Sequence, residues 1–177
     1  GHALPQVADA VAAQARRGIT TMLPSEDAAV VAADVFDEEG LRAGLAGSDV
    51  AINLATALPR PDRPGGDFTA NDRLRREGTP VFVAACRAAG VERVIQQSIA
   101  MVNANGAELA DEETPFRAGE NAMATEAVQA SIDMEAAIRG SGLDWLILRG
   151  GLFYGPGTGF DDDWFARAAA GKLKLPG

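Results

Sequence analysis

Few side chains in this sequence can attack, chelate or shuttle protons. It holds one histidine, His2, one cysteine, Cys86, and one tyrosine, Tyr154. A single histidine beside a terminal glycine, read as a tag remnant, leaves no Ser-His-Asp triad and no histidine-rich metal site, so no metal is expected. Cys86 lies in the apolar run Val81-Phe82-Val83-Ala84-Ala85-Cys86 and reads as a small buried hydrophobe, and being alone it forms no internal disulfide. What remains are polar or small residues placed just after apolar runs. These are Asp34, Ala55-Thr56-Ala57, Ser98-Ile99 and Gly150-Gly151. A carboxylate acceptor, hydroxyls and glycines that admit close backbone approach are suited to holding a ligand, although a plain turn explains the glycine pair as well.

The elements that must position these residues alternate. Leu4 to Arg17 reads as a helix ended by Gly18, and Ile19 to Leu23 as a short strand. Ala29 to Ala33 has the apolar character of a buried parallel strand leading into Asp34. Asp37 to Leu45 is helical, with Asp37 as its N-cap and Glu38 and Glu39 in the first turn. Asp49 to Leu54, Val91 to Gln97 and Asp144 to Leu148 are strands. Asn71 to Ala89 is helical in composition, with a conflict at Gly78-Thr79-Pro80. Either Thr79 caps a new helix with Pro80 in its first turn, or one helix kinks there. Asn121 to Arg139 is a long helix, and Phe160 to Ala170 is a last one. Helices alternating with short apolar strands imply parallel βαβ units in a doubly wound sheet with helices on both faces. In such sheets ligands sit beyond the carboxyl ends of the strands, where the residues named above fall.

Composition narrows the function classes. The net charge is −9 and the only lysines are Lys172 and Lys174, which argues against nucleic acid as a partner. The densest basic cluster, Arg73, Arg75 and Arg76, is flanked by Asp72 and Glu77 and reads as a solvated helix face. No apolar stretch approaches the roughly 18 residues of a membrane span. No basic, apolar leader opens the sequence, so a cytoplasmic protein is expected. There is no Gly-x-Ser-x-Gly elbow of a hydrolase.

In order, the strand ends resemble the extended short-chain dehydrogenase/reductase family, which includes NAD-dependent epimerases and dehydratases. Ala33-Asp34-Val35-Phe36-Asp37 resembles the element after the family's third strand, and Asp49 to Ala55 resembles its fourth. Gly90 to Ser98 is similar to the fifth, and Leu143 to Arg149 with Phe153-Tyr154-Gly155-Pro156-Gly157 resembles the sixth and its following loop. The resemblance implies a Rossmann-like sheet holding NAD or NADP. It implies that Asp34 accepts from the adenine amino group with Val35 against the ring, unless Asp34 instead caps the next helix. Leu54, Ala55, Thr56 and Ser98 would line the cofactor, and Gly150, Gly151 and Leu152 would meet its nicotinamide end.

Three departures qualify the reaction. The glycine-rich phosphate-binding turn that opens the family is absent, and the sequence stops at Leu173-Lys174-Leu175-Pro176-Gly177 where the family continues, so a piece of a longer protein is expected. Residues 1–150 then form the dinucleotide-binding domain, and 151–177 begin a truncated substrate-binding part. Placing Glu135 on the family's glutamate puts Ala127 at the Tyr and Ser131 at the Lys of the Tyr-x-x-x-Lys pair, and neither can move a proton as that pair does. Ile99 falls at the catalytic hydroxyl position, and a shift of one residue restores Ser98 as the catalytic candidate. Arg75 falls where many members carry Asn.

The expected function is an atypical NAD(P)-binding oxidoreductase, epimerase/dehydratase-like, acting on a small carbonyl or nucleotide-sugar-like molecule. The alternative is a non-catalytic NAD(P)-binding sensor or scaffold. Pro24-Ser25-Glu26-Asp27 carries two acids that disfavour a 2′-phosphate. Val128, Ile132 and Ala136 form a helix stripe that serves either a homodimer or the core.

Overall fold

The computed structural model describes residues 31–58, 67–100, 103, 111–114, 116, 122–151 and 160–172. Residues 32–151 form one compact unit, and residues 160–172 belong to a second. The expected helix at Leu4, the strand at Ile19, the acids Glu26 and Asp27, Leu152 and the glycine-rich segment around Tyr154 lie outside the described residues.

In the first unit, Glu38–Leu45 forms α1, with Glu38 and Glu39 in its first turn and Arg42 in its last. Those charges complement the helix dipole. Asp37 occupies the N-cap position with extended backbone, but its side chain makes no capping hydrogen bond. The expectation that Asp37 is the N-cap holds for its position and not for its side chain. Its carboxylate leans over Gly40 instead, where a Cβ would lie 2.6 Å from Asp37 Oδ2.

Val50–Asn53 (β1), Arg93–Ile99 (β2) and Asp144–Gly150 (β3) are parallel neighbours in that order. Ile52 stands beside Ile95, and Ile95 beside Leu146. β3 runs two residues beyond the expected Leu148, because pairing with β2 continues to Ile99 opposite Gly150. Val31 to Ala33, expected in a strand, are not strand here: among the described residues only β2 pairs with β1.

Thr69–Arg73 (α2) and Thr79–Ala89 (α3) are joined by a π-helical turn at Leu74–Gly78, closed by the Thr79 N–H on the Leu74 carbonyl. The sequence conflict resolves as one continuous helix. Thr79 has helical dihedrals and is not an N-cap. Pro80 lacks an N–H and crowds the carbonyl four residues back, and a widened turn gives its ring room. Gly78 within it packs on the segment after Asp34, where an added Cβ would meet Val35 Cγ2 at 3.3 Å. α3 ends at Gly90, whose φ of 80° suits glycine alone and whose N–H returns to Arg87.

Ala122–Arg139 (α4) precedes β3. α1, α3 and α4 cover one face of the sheet around Ala51, Phe82, Cys86, Val94 and Ile138. Each aliphatic side chain fully buried there contributes roughly 1.5–3 kcal/mol. On the other face Val50, Ile52, Leu146 and Leu148 stay 46–59% exposed, and no described helix of the unit covers them. In the second unit, Phe160–Ala169 forms α5.

Candidate functional site

The carboxyl ends of the strands are open where a ligand is expected. Leu54, Ala55 and Thr56 are exposed as the chain leaves β1. Their course is set from beneath. Asn53 is buried, donates to Gln96 Oε1 at 3.0 Å, and accepts the Ala55 N–H at 3.0 Å. Asn71 on α2 then accepts from Thr56 Oγ1 at 3.2 Å and the Ala57 N–H at 3.1 Å. Gly150 is half-buried at the end of β3, and the space around a Cβ on Gly151 is empty to 4 Å.

Asp34 is exposed and holds its own turn, accepting the Phe36 N–H on Oδ1 at 3.0 Å while its carbonyl accepts the Asp37 N–H. That geometry leaves Oδ2 for an outside donor. Asp34 thus neither caps α1 with its side chain nor spends its whole carboxylate locally. Val35, half-buried, is propped against Gly78.

Ser98, next to last in β2, is buried at its carboxyl end. It is 1% exposed, and its hydroxyl donates to Glu135 Oε1 at 2.7 Å. Arg149, the strand partner of Ser98 on β3, donates Nε and Nη2 to the same carboxylate at 3.0 and 2.9 Å. Arg149 also reaches Asn103 Oδ1 at 3.2 Å, and its guanidinium lies over the Phe116 ring. Burial pushes the Glu135 carboxyl up. The hydrogen bonds from Arg149 and Ser98, with the charges of Arg149 and Arg139, outweigh it and leave the group below its ordinary value. One buried glutamate thus joins α4, β2, β3 and the segment after β2.

Ala127 and Ser131, which the resemblance sets at the family's Tyr and Lys, stand one turn apart on α4. Ser131 is completely buried, and its hydroxyl bonds back to the Ala127 carbonyl at 2.8 Å. That carbonyl also accepts from Arg75 Nη1 at 3.3 Å. Arg75 therefore departs from the expected solvated face. Arg73 and Arg76 keep to it, Arg73 pairing with Glu77 and Arg76 with Asp133 and Glu126. Of the stripe suggested for a homodimer, Val128 is in the core, Ile132 is half-buried and Ala136 is exposed.

A cleft of about 580 Å³ opens beside α2, lined by Phe68, Thr69, Asp72, Arg76 and Glu126 among others. None of its lining comes from the strand ends, and its arginines are already paired. It is an open groove on the surface, lined by charged residues together with Phe68. No group of acids, cysteine or histidine suited to a metal occurs among the described residues. None of the described helices is long and apolar enough to cross a membrane.

Residues 3–161 match a family described as NAD(P)H-binding. The chain belongs to this NAD(P)H-binding family. A curated relative from a Streptomyces species, 3-diazoavenalumate denitrifying reductase, is 38% identical over 154 residues, covering 83% of this chain and 51% of the relative. The chain thus spans about half the length of that relative. Among solved structures, a putative epimerase from Burkholderia cenocepacia aligns at 21% identity and TM-score 0.61, covering 89% of this chain and 52% of that one. WbmH from Bordetella bronchiseptica, in complex with NAD+, aligns at 18% and 0.62, covering 94% and 60%. DesIV, a dTDP-glucose 4,6-dehydratase from Streptomyces venezuelae with NAD and TYD bound, aligns at 20% and 0.59, covering 78% and 44%. The shared architecture is the Rossmann fold, and the cofactor class is NAD or NADP.

The strand ends fit such a cofactor. The exposed run Leu54 to Thr56 and the open approach to Gly151 lie at the carboxyl ends of β1 and β3, where parallel sheets take ligands, and Asp34 keeps one carboxylate oxygen unspent. Sequence reasoning used Glu135 only as an alignment anchor and missed its network. A signal existed, since Glu135 and Arg149 are opposite charges set in the apolar runs Met134 to Ile138 and Leu146 to Arg149.

Proposed function

We propose that the intact protein is an NAD(P)H-dependent reductase whose reaction draws no proton from the helix position that supplies one in most short-chain dehydrogenases. The observation carrying this is the pair Ala127 and Ser131. One side chain has no proton to give, and the other is fully buried and committed to a backbone carbonyl. A reduced nicotinamide held along Asp34, Val35, Leu54 to Thr56, Gly150 and Gly151 supplies hydride. Reducing a ketone also requires a proton at oxygen, whereas an electrophile that takes hydride and expels a neutral leaving group requires none from the protein. The relative's name describes a reductase that removes nitrogen from a diazo compound, which supports the second class. Within this reading Ser98 is a positioning residue, holding Glu135 rather than touching substrate.

The experiment titrates the longest natural chain with NADH and NADPH, following nicotinamide fluorescence. It then measures protein-dependent loss of reduced-nicotinamide absorbance with benzenediazonium and with acetophenone. Saturable binding that weakens in Asp34→Ala, and turnover of the diazonium above the rate without protein, is the expected result. Faster turnover of the ketone overturns the reading of the proton. Saturable binding with no turnover of either probe replaces the reductase with a cofactor-dependent sensor.

A further inference from the structure

Asn71, Arg75 and Thr79 follow one another at four-residue spacing along the continuous helix, so they share a side of it. That side faces both the β1 exit and α4. Asn71 holds Thr56 and Ala57, and Arg75 reaches the Ala127 carbonyl. All three carry hydrogen-bonding capacity that the described residues leave unused. Asn71 is 1% exposed, yet its amide nitrogen has no acceptor among the described residues, and the buried Thr79 hydroxyl has no partner there either. Arg75, half-buried with five N–H groups, makes a single long hydrogen bond to a neutral carbonyl. Asp72, one turn away, acts on it only through space and keeps Oδ1 unbonded.

Partly buried donors are ordinarily satisfied, and a guanidinium with one neutral partner is far from that. Asp72 offsets the charge of Arg75 but accepts none of its N–H groups, and the Asn71 amide is itself a donor, so the missing hydrogen-bond partner must accept. The π-helical turn, which carries Arg75, directs it at the Ala127 carbonyl on α4. We infer that Arg75, backed by the Asn71 amide, is an anion subsite that takes a carboxylate of the substrate beside Ala127. Arginine's planar fork matches a carboxylate's two oxygens, as no single ammonium does. The inference rests on the reductase reading for the word substrate, and it narrows the substrate class to small carboxylates. The anion site itself stands on the geometry of Arg75 alone.

The test compares benzoate with its neutral analogue benzamide, each titrated calorimetrically into the full chain with NADP+ present, for wild type, Arg75→Gln and Arg75→Lys. NADPH affinity is measured on the same three proteins. Charge-assisted bonds of this kind make benzoate bind about tenfold or more tightly than benzamide. Arg75→Gln abolishes that preference, Arg75→Lys restores part of it, and NADPH affinity stays unchanged. Equal binding of benzoate and benzamide by wild type overturns the inference, whatever the variants do. So does a preference that survives in folded Arg75→Gln. A benzoate preference in a protein that binds neither nicotinamide overturns the reductase reading and leaves the anion site in place.

Discussion

Glu135→Gln isolates the network that ties the strand ends together. In the wild type a carboxylate 1% exposed neutralises Arg149, whose side chain is only 14% exposed, and accepts the Ser98 hydroxyl. The amide keeps one acceptor for Ser98 or Arg149 Nε, but it turns an N–H2 toward Arg149 Nη2 and removes the countercharge. Breaking a buried pair by removing one partner costs about 3–5 kcal/mol, and the lower end applies because Arg149 retains Asn103 and some solvent. A loss of about 3 kcal/mol lowers Tm by about 6–12 °C in a chain of this size. Urea unfolding followed by tryptophan fluorescence reads it directly. The pH dependence is a second signature. Glu135 is depressed in the folded state, so its contribution is complete above the unfolded glutamate pKa of about 4.3 and is lost as pH falls through the lower folded value. The gap between wild type and Glu135→Gln must therefore narrow in acid. A variant within about 1 kcal/mol of wild type at neutral pH, or a gap that widens in acid, refutes the reasoning.

Restoring the family's lysine in place should not restore its chemistry. Ser131 is fully buried, so Ser131→Lys forces an ammonium into the α4 packing at a cost of several kcal/mol, seen as a large fall in Tm. Cys86 is fully buried, and burial pushes its thiol up to about 11, so a disulfide reagent should label it only as fast as the chain unfolds. Labelling at the rate of a free thiol in buffer refutes that. In Gly78→Ala the helix gains propensity of about 1 kcal/mol, which crowding against Val35 Cγ2 at 3.3 Å offsets. The expected outcome is weaker NADPH binding, by fluorescence titration, at nearly constant Tm.

The three strands were legible because each is a short apolar run bounded by glycine or acid, and a helix end such as Gly90 carries its own conformational signal. The arrangement around Gly78-Thr79-Pro80 was not, because local propensity supports two solutions. Packing of Gly78 on Val35 and Phe36 accompanies the one adopted, a contact between segments over forty residues apart in sequence. Strand order alone points to the carboxyl edge as the place to expect a ligand, since ligand position in a parallel sheet follows topology. Arg75 could not. Three arginines flanked by acids look solvated in sequence, and only the approach of α4 separates the one facing Ala127 from the two paired outside. Asp37 is the reverse case: its position at the start of α1 was legible, but the lie of its carboxylate over Gly40 without a capping hydrogen bond was not.

The π-helical turn also acts as a register reserve. It closes with a bond reaching five residues back, Thr79 to Leu74, where an α-helix would reach four. The segment thus holds one residue more than the flanking helix needs. Deleting a residue between 74 and 78 lets the turn tighten to α geometry while Asn71 stays on Thr56 and Phe82, Val83 and Cys86 stay in the core. The same deletion three residues further on would swing every later side chain of α3 about 100° around the helix axis. Length variation among descendants of this chain is therefore channelled into the stretch that carries Arg75, so the side chain beside Ala127 can be exchanged without rebuilding the fold.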